Sequence, residues 1–227
     1  MKKNLEKKET LNCREEHRRV DIVKDYDLEL VAYTKLLKGQ DKISCAGPKC
    51  TDKYYTFQYK HKMDENNIGS FFCGGEAAKS FMRLANIEPI KLFNPLSGES
   101  SNDSDEEDTL SDSSKESKNH SSNEDYKKKW NPIAKQLHNA INLLIVCWNV
   151  PIYGTLARYK ADVIKYKYRE PFFERIKFVN NVIGMDKKNR TLTQMLEELR
   201  ADNPRLKHFS FDLLEKELSV RDIKSNF

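Results

Sequence analysis

Long apolar runs are missing from this 227-residue chain, and the longest extends only from Leu143 to Trp148. A membrane-spanning helix needs about 18 or more consecutive apolar residues, so the sequence excludes one. The basic start, MKKNLEKKET, is not followed by the apolar stretch of a signal peptide. We therefore expect an intracellular protein, nuclear or cytoplasmic, with no membrane partner. The sequence does not indicate the oligomeric state of the protein.

The motifs of common enzymes are also missing. The chain has no glycine-rich phosphate loop, nucleophile elbow or paired-histidine metal motif. The pair Gly74-Gly75 stands alone at a predicted helix start, where it lets the chain turn tightly. We therefore predict a non-enzymatic protein and rank a metal-dependent nuclease only third among the functions considered.

Apolar residues are scarce overall, and their distribution divides the chain. Hydrophobic residues make up 38% of the sequence and charged residues 33%. Residues 98–125 contain one leucine and no aromatic residue, and they carry a net charge of −8 between segments of +4 and +9. Such a segment cannot bury enough apolar area to offset its ordering entropy, so we predict a disordered acidic linker. It is either a plain spacer or a regulated segment, with Ser104 the first serine to test for phosphorylation.

Periodicity before the linker predicts an α+β arrangement. In residues 1–40, apolar positions at steps of three and four predict a helix from about Val20 to Lys38. In residues 41–97, the alternation in YYTFQYKH predicts a strand, IGSFFC its antiparallel partner, and residues 75–86 a helix. We expect the aromatic strand face, Tyr55, Phe57 and Tyr59, to be exposed.

Periodicity after the linker is helical almost throughout, which predicts a basic all-α domain over residues 126–227. The first helix carries Trp130 to Trp148 on one face and ends at Pro151. Further helices are predicted over residues 153–168, after Pro171, after the capping-box pair Thr191 and Gln194, and around residues 211–218.

Cysteines form the most informative pattern in the chain. Cys45 and Cys50 are separated by four residues that include Gly47 and Pro48, and Cys73 ends the predicted hairpin at the start of the helix. Thiolates at such spacing suit a tetrahedral zinc ion, and close cysteines in a reducing compartment are typically metal ligands. This order of knuckle, hairpin and helix-start ligand is similar to the treble-clef zinc folds over about residues 43–86. The resemblance implies a small zinc-stabilised ββα module.

The fourth ligand does not follow from the resemblance. Treble-clef helices usually supply two ligands three residues apart, whereas here Glu76 takes the second position. Structural sites are dominated by cysteine and histidine, so we predict Cys45, Cys50, His61 and Cys73 as Zn²⁺ ligands and keep Glu76 in reserve. Such a zinc ion would stabilise the fold rather than perform chemistry.

An alternative without metal remains open at the same residues. Cys45 and Cys50 would then be buried core residues and Cys73 a weak helix cap, because cysteine is among the residues most often buried. Cys13 and His17 have the spacing of half a metal site but no second half nearby. Cys147, within LLIVCW, is predicted to be a core residue.

Basic and aromatic residues alternate in ARYKADVIKYKYRE, residues 157–170. Lysine and arginine neutralise phosphates, and tyrosine stacks on bases, so this segment is a candidate nucleic-acid interface. The candidate residues are Arg158, Lys160, Lys165, Tyr166, Lys167 and Arg169. The alternative is a solvated helix whose tyrosines pack at the core boundary, and Lys127 to Lys129 either extend the surface or form an import signal.

We therefore expect a zinc-binding regulatory protein that associates with DNA or RNA. A protein-interaction adaptor that uses the helical domain and the aromatic strand face is the second expectation.

Overall fold

The computed structural model describes residues 11–97, 129–148 and 150–227, and the predicted linker lies outside these residues. Three strands and seven helices follow one another in the described part of the chain. They are α1 (Glu16–Asp25), β1 (Tyr26–Lys35), β2 (Lys53–His61), β3 (Ile68–Cys73), α2 (Gly75–Ala85), α3 (Pro132–Cys147), α4 (Thr155–Lys165), α5 (Phe173–Ile183), α6 (Leu192–Asp202) and α7 (Asp212–Ser219). The predicted α+β class is confirmed.

The three strands form one antiparallel sheet in the order β1-β2-β3. Tyr55 pairs with Cys73, and Lys60 pairs with Ile68 at the other end of the hairpin. The predicted hairpin and the helix that follows it are therefore confirmed. A register shift in β1 lies between Leu30 and Ala32.

The helix predicted from Val20 to Lys38 is wrong in its second part, because the chain becomes β1 at Tyr26. Tyr26, Leu28 and Leu30 alternate with Asp27 and Glu29, which is a strand pattern. Pairing with β2 along almost the whole strand stabilises the extended form and overrides the three-and-four spacing.

The sheet has two covered faces. Helices α1 and α2 cover one face, where the ring of Phe81 lies 5.7 Å from that of Phe57 and 5.4 Å from that of Phe71. Phe57 and Tyr59 are buried there, so the prediction of an exposed aromatic face is wrong. The protein's own helices take the surface that an adaptor would have offered to a partner.

Helix α3 covers the other face and forms the centre of the larger core. Leu137, Ile141 and Leu144 are fully buried in it, and α4, α5, α6 and α7 all contact α3. Tyr54 and Phe72 of the sheet join the same cluster. The capping box predicted at Thr191 and Gln194 is present. No helix in the described ranges is long and apolar enough to cross a membrane.

Candidate metal centre and nucleic-acid interface

The chain between Lys42 and Cys50 doubles back on itself as the sequence predicts. Ile43 and Lys49 form an antiparallel bridge, and the Ser44 N–H donates to the Pro48 carbonyl at 3.0 Å. Gly47 has a φ of +100°, in the left-handed region that glycine adopts without strain. This turn carries Cys45 to the outer edge of β3, where its N–H donates to the Phe72 carbonyl at 2.7 Å.

Three sulfur atoms meet at the end of β3. The ligand atoms of Cys13, Cys45 and Cys73 all lie within 4.8 Å of one another. The Cys45 and Cys73 sulfurs are 3.9 Å apart. Two thiolates on one tetrahedral zinc, with Zn–S bonds of about 2.3 Å, are separated by about 3.8 Å. Cys45 and Cys73 therefore have the spacing of two ligands of one metal ion.

Cys13 and Cys45 lie at disulfide distance in this structure, with Cα atoms 5.3 Å apart. The main chain holds the pair together, because the Cys13 N–H donates to the Cys45 carbonyl at 3.1 Å. The cluster therefore has two chemical forms, a disulfide beside one thiol when oxidised and three thiols when reduced. Only the reduced form offers three thiolates to a metal ion.

The surroundings of the cluster are largely apolar. Cys13 and Cys73 are fully buried, and burial raises the pKa of the Cys73 thiol far above its usual range. Arg19 opposes this shift, and its guanidinium donates to the Cys13 carbonyl at 2.9 Å. A thiolate at Cys73 therefore needs a compensating cation, which a metal ion would supply.

Two of the four predicted ligands lie elsewhere, so the predicted quartet is not brought together. Cys50 is buried in the core on the α3 side of the sheet. His61 lies at the far end of β2, six residues beyond Tyr55, the partner of Cys73. At about 3.3 Å per residue this is roughly 20 Å. The His61 ring instead accepts a hydrogen bond from the Met63 N–H at 3.1 Å and packs edge-on against Tyr26.

The reserve ligand also stays outside the cluster. Glu76 is exposed at the start of α2 and lies 3.8 Å from the Lys79 ammonium. His17, which has half-site spacing to Cys13 in the sequence, is exposed beside Glu15. Within the described residues, the group that could hold a metal ion thus consists of the three cysteines alone.

Sequence reasoning missed Cys13 as the third member. Cys13 lies 32 residues before Cys45, and His17, the one residue near it with metal-ligand spacing, has no second pair of ligands nearby in the sequence. One signal was available: Cys13 had no cysteine partner, while the fourth place in the predicted zinc set was given to His61 and not to a cysteine.

A cavity of about 590 Å³ adjoins the cluster on the Cys45 side. Its walls include Arg14, Asp41, Ser44 and Cys45. The Ser44 hydroxyl accepts from the Gly74 N–H, the residue before α2, at 3.2 Å. Cys45 is thus the member of the cluster that lines an open space.

A second group of thiols lies on the other face of the sheet around Lys42. The Lys42 side chain is fully buried, and its ammonium donates to the carbonyls of Ile145 and Trp148 at the end of α3. Burial lowers the Lys42 pKa to about 8, an effect that Cys147 and Cys50 oppose. Burial raises the pKa of Cys50 and raises that of Cys147 to about 12.

The candidate nucleic-acid residues divide into five surface residues and one buried residue. Arg158, Lys165, Tyr166 and Arg169 are exposed, and Lys167 is half-buried. Lys160 is only 4% exposed, so its prediction as a phosphate contact is wrong. It lies on the core side of α4, where burial lowers its pKa to about 8. Successive residues of a helix are about 100° apart around its axis, so the alternation of basic and aromatic residues along the sequence does not show which of them are buried.

The exposed cations lie beside aromatic rings. The Lys165 ammonium is 5.5 Å and the Arg169 guanidinium 6.0 Å from the centre of the Tyr166 ring. The Lys167 ammonium lies 5.1 Å from the Tyr168 ring and 5.7 Å from the Trp130 ring. These are cation–π distances. Together these side chains form a basic surface with aromatic character, which consists of Lys165, Lys167 and Arg169 with Tyr166, Tyr168 and Trp130.

A family model with the description "Uncharacterised conserved protein UCP028583" matches residues 11–223. No curated protein and no solved structure matches the chain. The matched region begins before Cys13 and continues beyond α7, so it includes both the sulfur cluster and the basic surface.

Proposed function

The chain belongs to the family of uncharacterised conserved proteins UCP028583, and we propose that it is a zinc-binding protein that associates with nucleic acid. The observation that carries the zinc assignment is the 3.9 Å separation of the Cys45 and Cys73 sulfurs, with Cys13 in the same group. Three soft thiolates favour zinc over hard cations such as magnesium and calcium.

The zinc ligands in this proposal are Cys13, Cys45 and Cys73 in the reduced protein. They replace the quartet expected from the sequence, and a solvent molecule from the adjoining cavity completes the coordination. The order of knuckle, hairpin and helix start over residues 42–85 supports a treble-clef-like module, whereas Cys13 comes from the segment before α1. Zinc would join that segment to the sheet and stabilise the α1 and α2 side of the fold.

Metal analysis of protein purified under reducing conditions tests the zinc assignment. We expect about one zinc per chain, with thiolate-to-metal charge-transfer absorption after replacement by cobalt. Oxidation to the Cys13–Cys45 disulfide should release the metal, because a disulfide sulfur is no longer an anionic ligand. Folded, reduced protein that carries no metal and shows three free thiols in the cluster would refute the assignment.

Nucleic acid is the partner that the basic surface favours. Residues 126–227 carry a net charge of +9, and the exposed cations of α4 and the following segment concentrate part of it beside tyrosine rings. Phosphate neutralisation by lysine and arginine supplies most non-specific affinity, and tyrosine adds contacts to bases or backbone.

The nucleic-acid assignment is tested by charge reversal. Replacing Lys165, Lys167 and Arg169 by Glu should weaken binding to a fluorescent oligonucleotide at low salt by at least tenfold and flatten the salt dependence. The matched control replaces three exposed cations outside this surface, Lys38, Lys187 and Arg205, by Glu. Equal losses in both variants, or no binding by the wild type, would contradict the proposal.

A further inference from the structure

A cavity of about 310 Å³ opens between the end of α4 and the start of α5. Its walls include Tyr166 and Arg169 of the basic surface, and Phe172 and Arg175 from the start of α5. Small-molecule sites range from about 300 to 1,000 Å³, so this cavity has room for a group the size of a nucleobase. It is too small to seat a folded partner.

Arg175, in the wall of the cavity, lies beside two aromatic rings. The Arg175 guanidinium lies 5.6 Å from the Tyr159 ring and 5.3 Å from the Phe172 ring. Asp162 holds this guanidinium through an ion pair at 2.8 Å. Both partners of this ion pair are largely buried, and the ring of Phe172 lies against the paired guanidinium.

Two aromatic residues that line the cavity are unusually exposed to solvent. Phe172 has 74% of its surface open to solvent, and Tyr166, which also lines the cavity, has 41%. The Tyr166 ring is itself bordered by the cations of Lys165 and Arg169. Two accessible rings, with positive charge around one of them, suit a flat and electron-rich group attached to a phosphate.

Base pairing determines whether a nucleic acid can place the face of a base against the rings of the cavity. In a duplex the base faces are stacked on one another, and protein rings reach them only after a base is unstacked. In a single strand the faces are free, and stacking on aromatic side chains contributes about 1 to 3 kcal/mol per base. The carboxylates of Asp162 and Glu170 also border the cavity and are acceptors for a base amino group.

We propose that this cavity binds an unpaired base of single-stranded nucleic acid between Tyr166 and Phe172, with Arg169 on the adjacent phosphate. The proposal rests on the proposed nucleic-acid function and specifies its ligand. The cations supply affinity for any nucleic acid, whereas the cavity supplies a preference for single strands.

The test compares the full-length wild type with Phe172→Ala by fluorescence anisotropy. The probes are a short single-stranded oligonucleotide, a duplex of the same length, and an abasic strand that keeps the phosphates but lacks bases. Met185→Ala is the matched control, because Met185 is also 74% exposed and does not border the cavity. Circular dichroism and thermal melting verify that both variants keep the wild-type fold.

We expect Phe172→Ala to weaken single-strand binding by about five- to 150-fold. Phe172→Ala should bind the abasic strand with the same affinity as the wild type, and likewise the duplex. Met185→Ala should bind every probe as the wild type does. Single-strand binding that is unchanged in Phe172→Ala, or no stronger than duplex binding in the wild type, would overturn the base site and leave the nucleic-acid function standing. A wild type that binds none of the probes at low salt would overturn both.

Discussion

On the face of the sheet covered by α1 and α2, three cysteine sulfurs meet within metal-binding distance. On the face covered by α3, Cys50 lies in the core and interacts electrostatically with the buried ammonium of Lys42, as does Cys147. Cys45 and Cys50 are only five residues apart in sequence and still belong to different groups. Closeness in sequence therefore does not decide which thiols can share an ion.

The two groups differ in how charge is compensated. In the sulfur cluster, burial and then Cys50 raise the Cys73 pKa, and among the described residues Arg19 is the cation that opposes them, so thiolates there require an added cation. Around Lys42 the protein supplies its own cation, which also hydrogen-bonds the free carbonyls at the end of α3. The comparison predicts that metal acts on one side of the sheet only.

Removing one sulfur from each group should give the largest effect, a difference in the amount of bound zinc. Cys73→Ala should lose nearly all bound zinc, because two thiolates and solvent hold the ion far more weakly than three thiolates. Cys50→Ala removes an equally sized buried side chain and should keep about one zinc per chain. Metal content of the two purified proteins measures the contrast. Zinc retained by Cys73→Ala, or lost from Cys50→Ala, would show that the ligand set is different.

Removing the cation of the second group should have the next largest effect. Lys42→Ala leaves a cavity and two carbonyls at the end of α3 without their donor, and we expect the free energy of unfolding to fall by about 3 kcal/mol. Lys42→Met fills most of the space and should lose less. Urea unfolding of the two variants separates the packing contribution from the hydrogen bonds, and equal losses would mean that packing contributes little.

The same variants should change the dependence of stability on pH. The Lys42 pKa is about 8 in the folded protein and 10.5 when unperturbed, so above pH 8 the native state releases its proton first. The cost of burying the charge therefore declines as the pH rises from 8 towards 10.5. The wild type should gain roughly 1 kcal/mol of stability relative to Lys42→Met between about pH 8 and 9. A constant difference across this range would contradict a buried charged lysine.

The sequence predicted one of the two groups in part. Local signals identified the knuckle, the hairpin and the start of α2, so Cys45 and Cys73 were placed correctly relative to the sheet. Cys13 was missed because its approach to Cys45 depends on how α1 packs on α2, which spacing along the chain does not encode. The helix predicted over residues 20–38 failed for a similar reason, since pairing with β2 determined the structure of Tyr26–Lys35.

The basic surface shows the same limit of sequence patterns. Arg158 and Lys160 are two residues apart, yet one is exposed and the other is buried among the helices. Helical periodicity assigns them to different sides of α4, but only the packing against α3 shows which side faces the core. The cavity beside Phe172 could not be predicted, because it forms between two helices whose relative position depends on that packing.

His61 offers the smallest and most selective test of the comparison. It was the predicted fourth ligand, but it lies at the opposite end of β2 from the sulfur cluster and packs against Tyr26 with ring centres 4.9 Å apart. His61→Ala should therefore keep about one zinc per chain and lower the free energy of unfolding by less than about 1 kcal/mol, the usual contribution of one cross-strand pair. Loss of zinc from His61→Ala would mean that the hairpin adopts a different register when the metal binds. Intact zinc together with the loss in Cys73→Ala would restrict the metal to the end of β3 that Cys13 and Cys45 share.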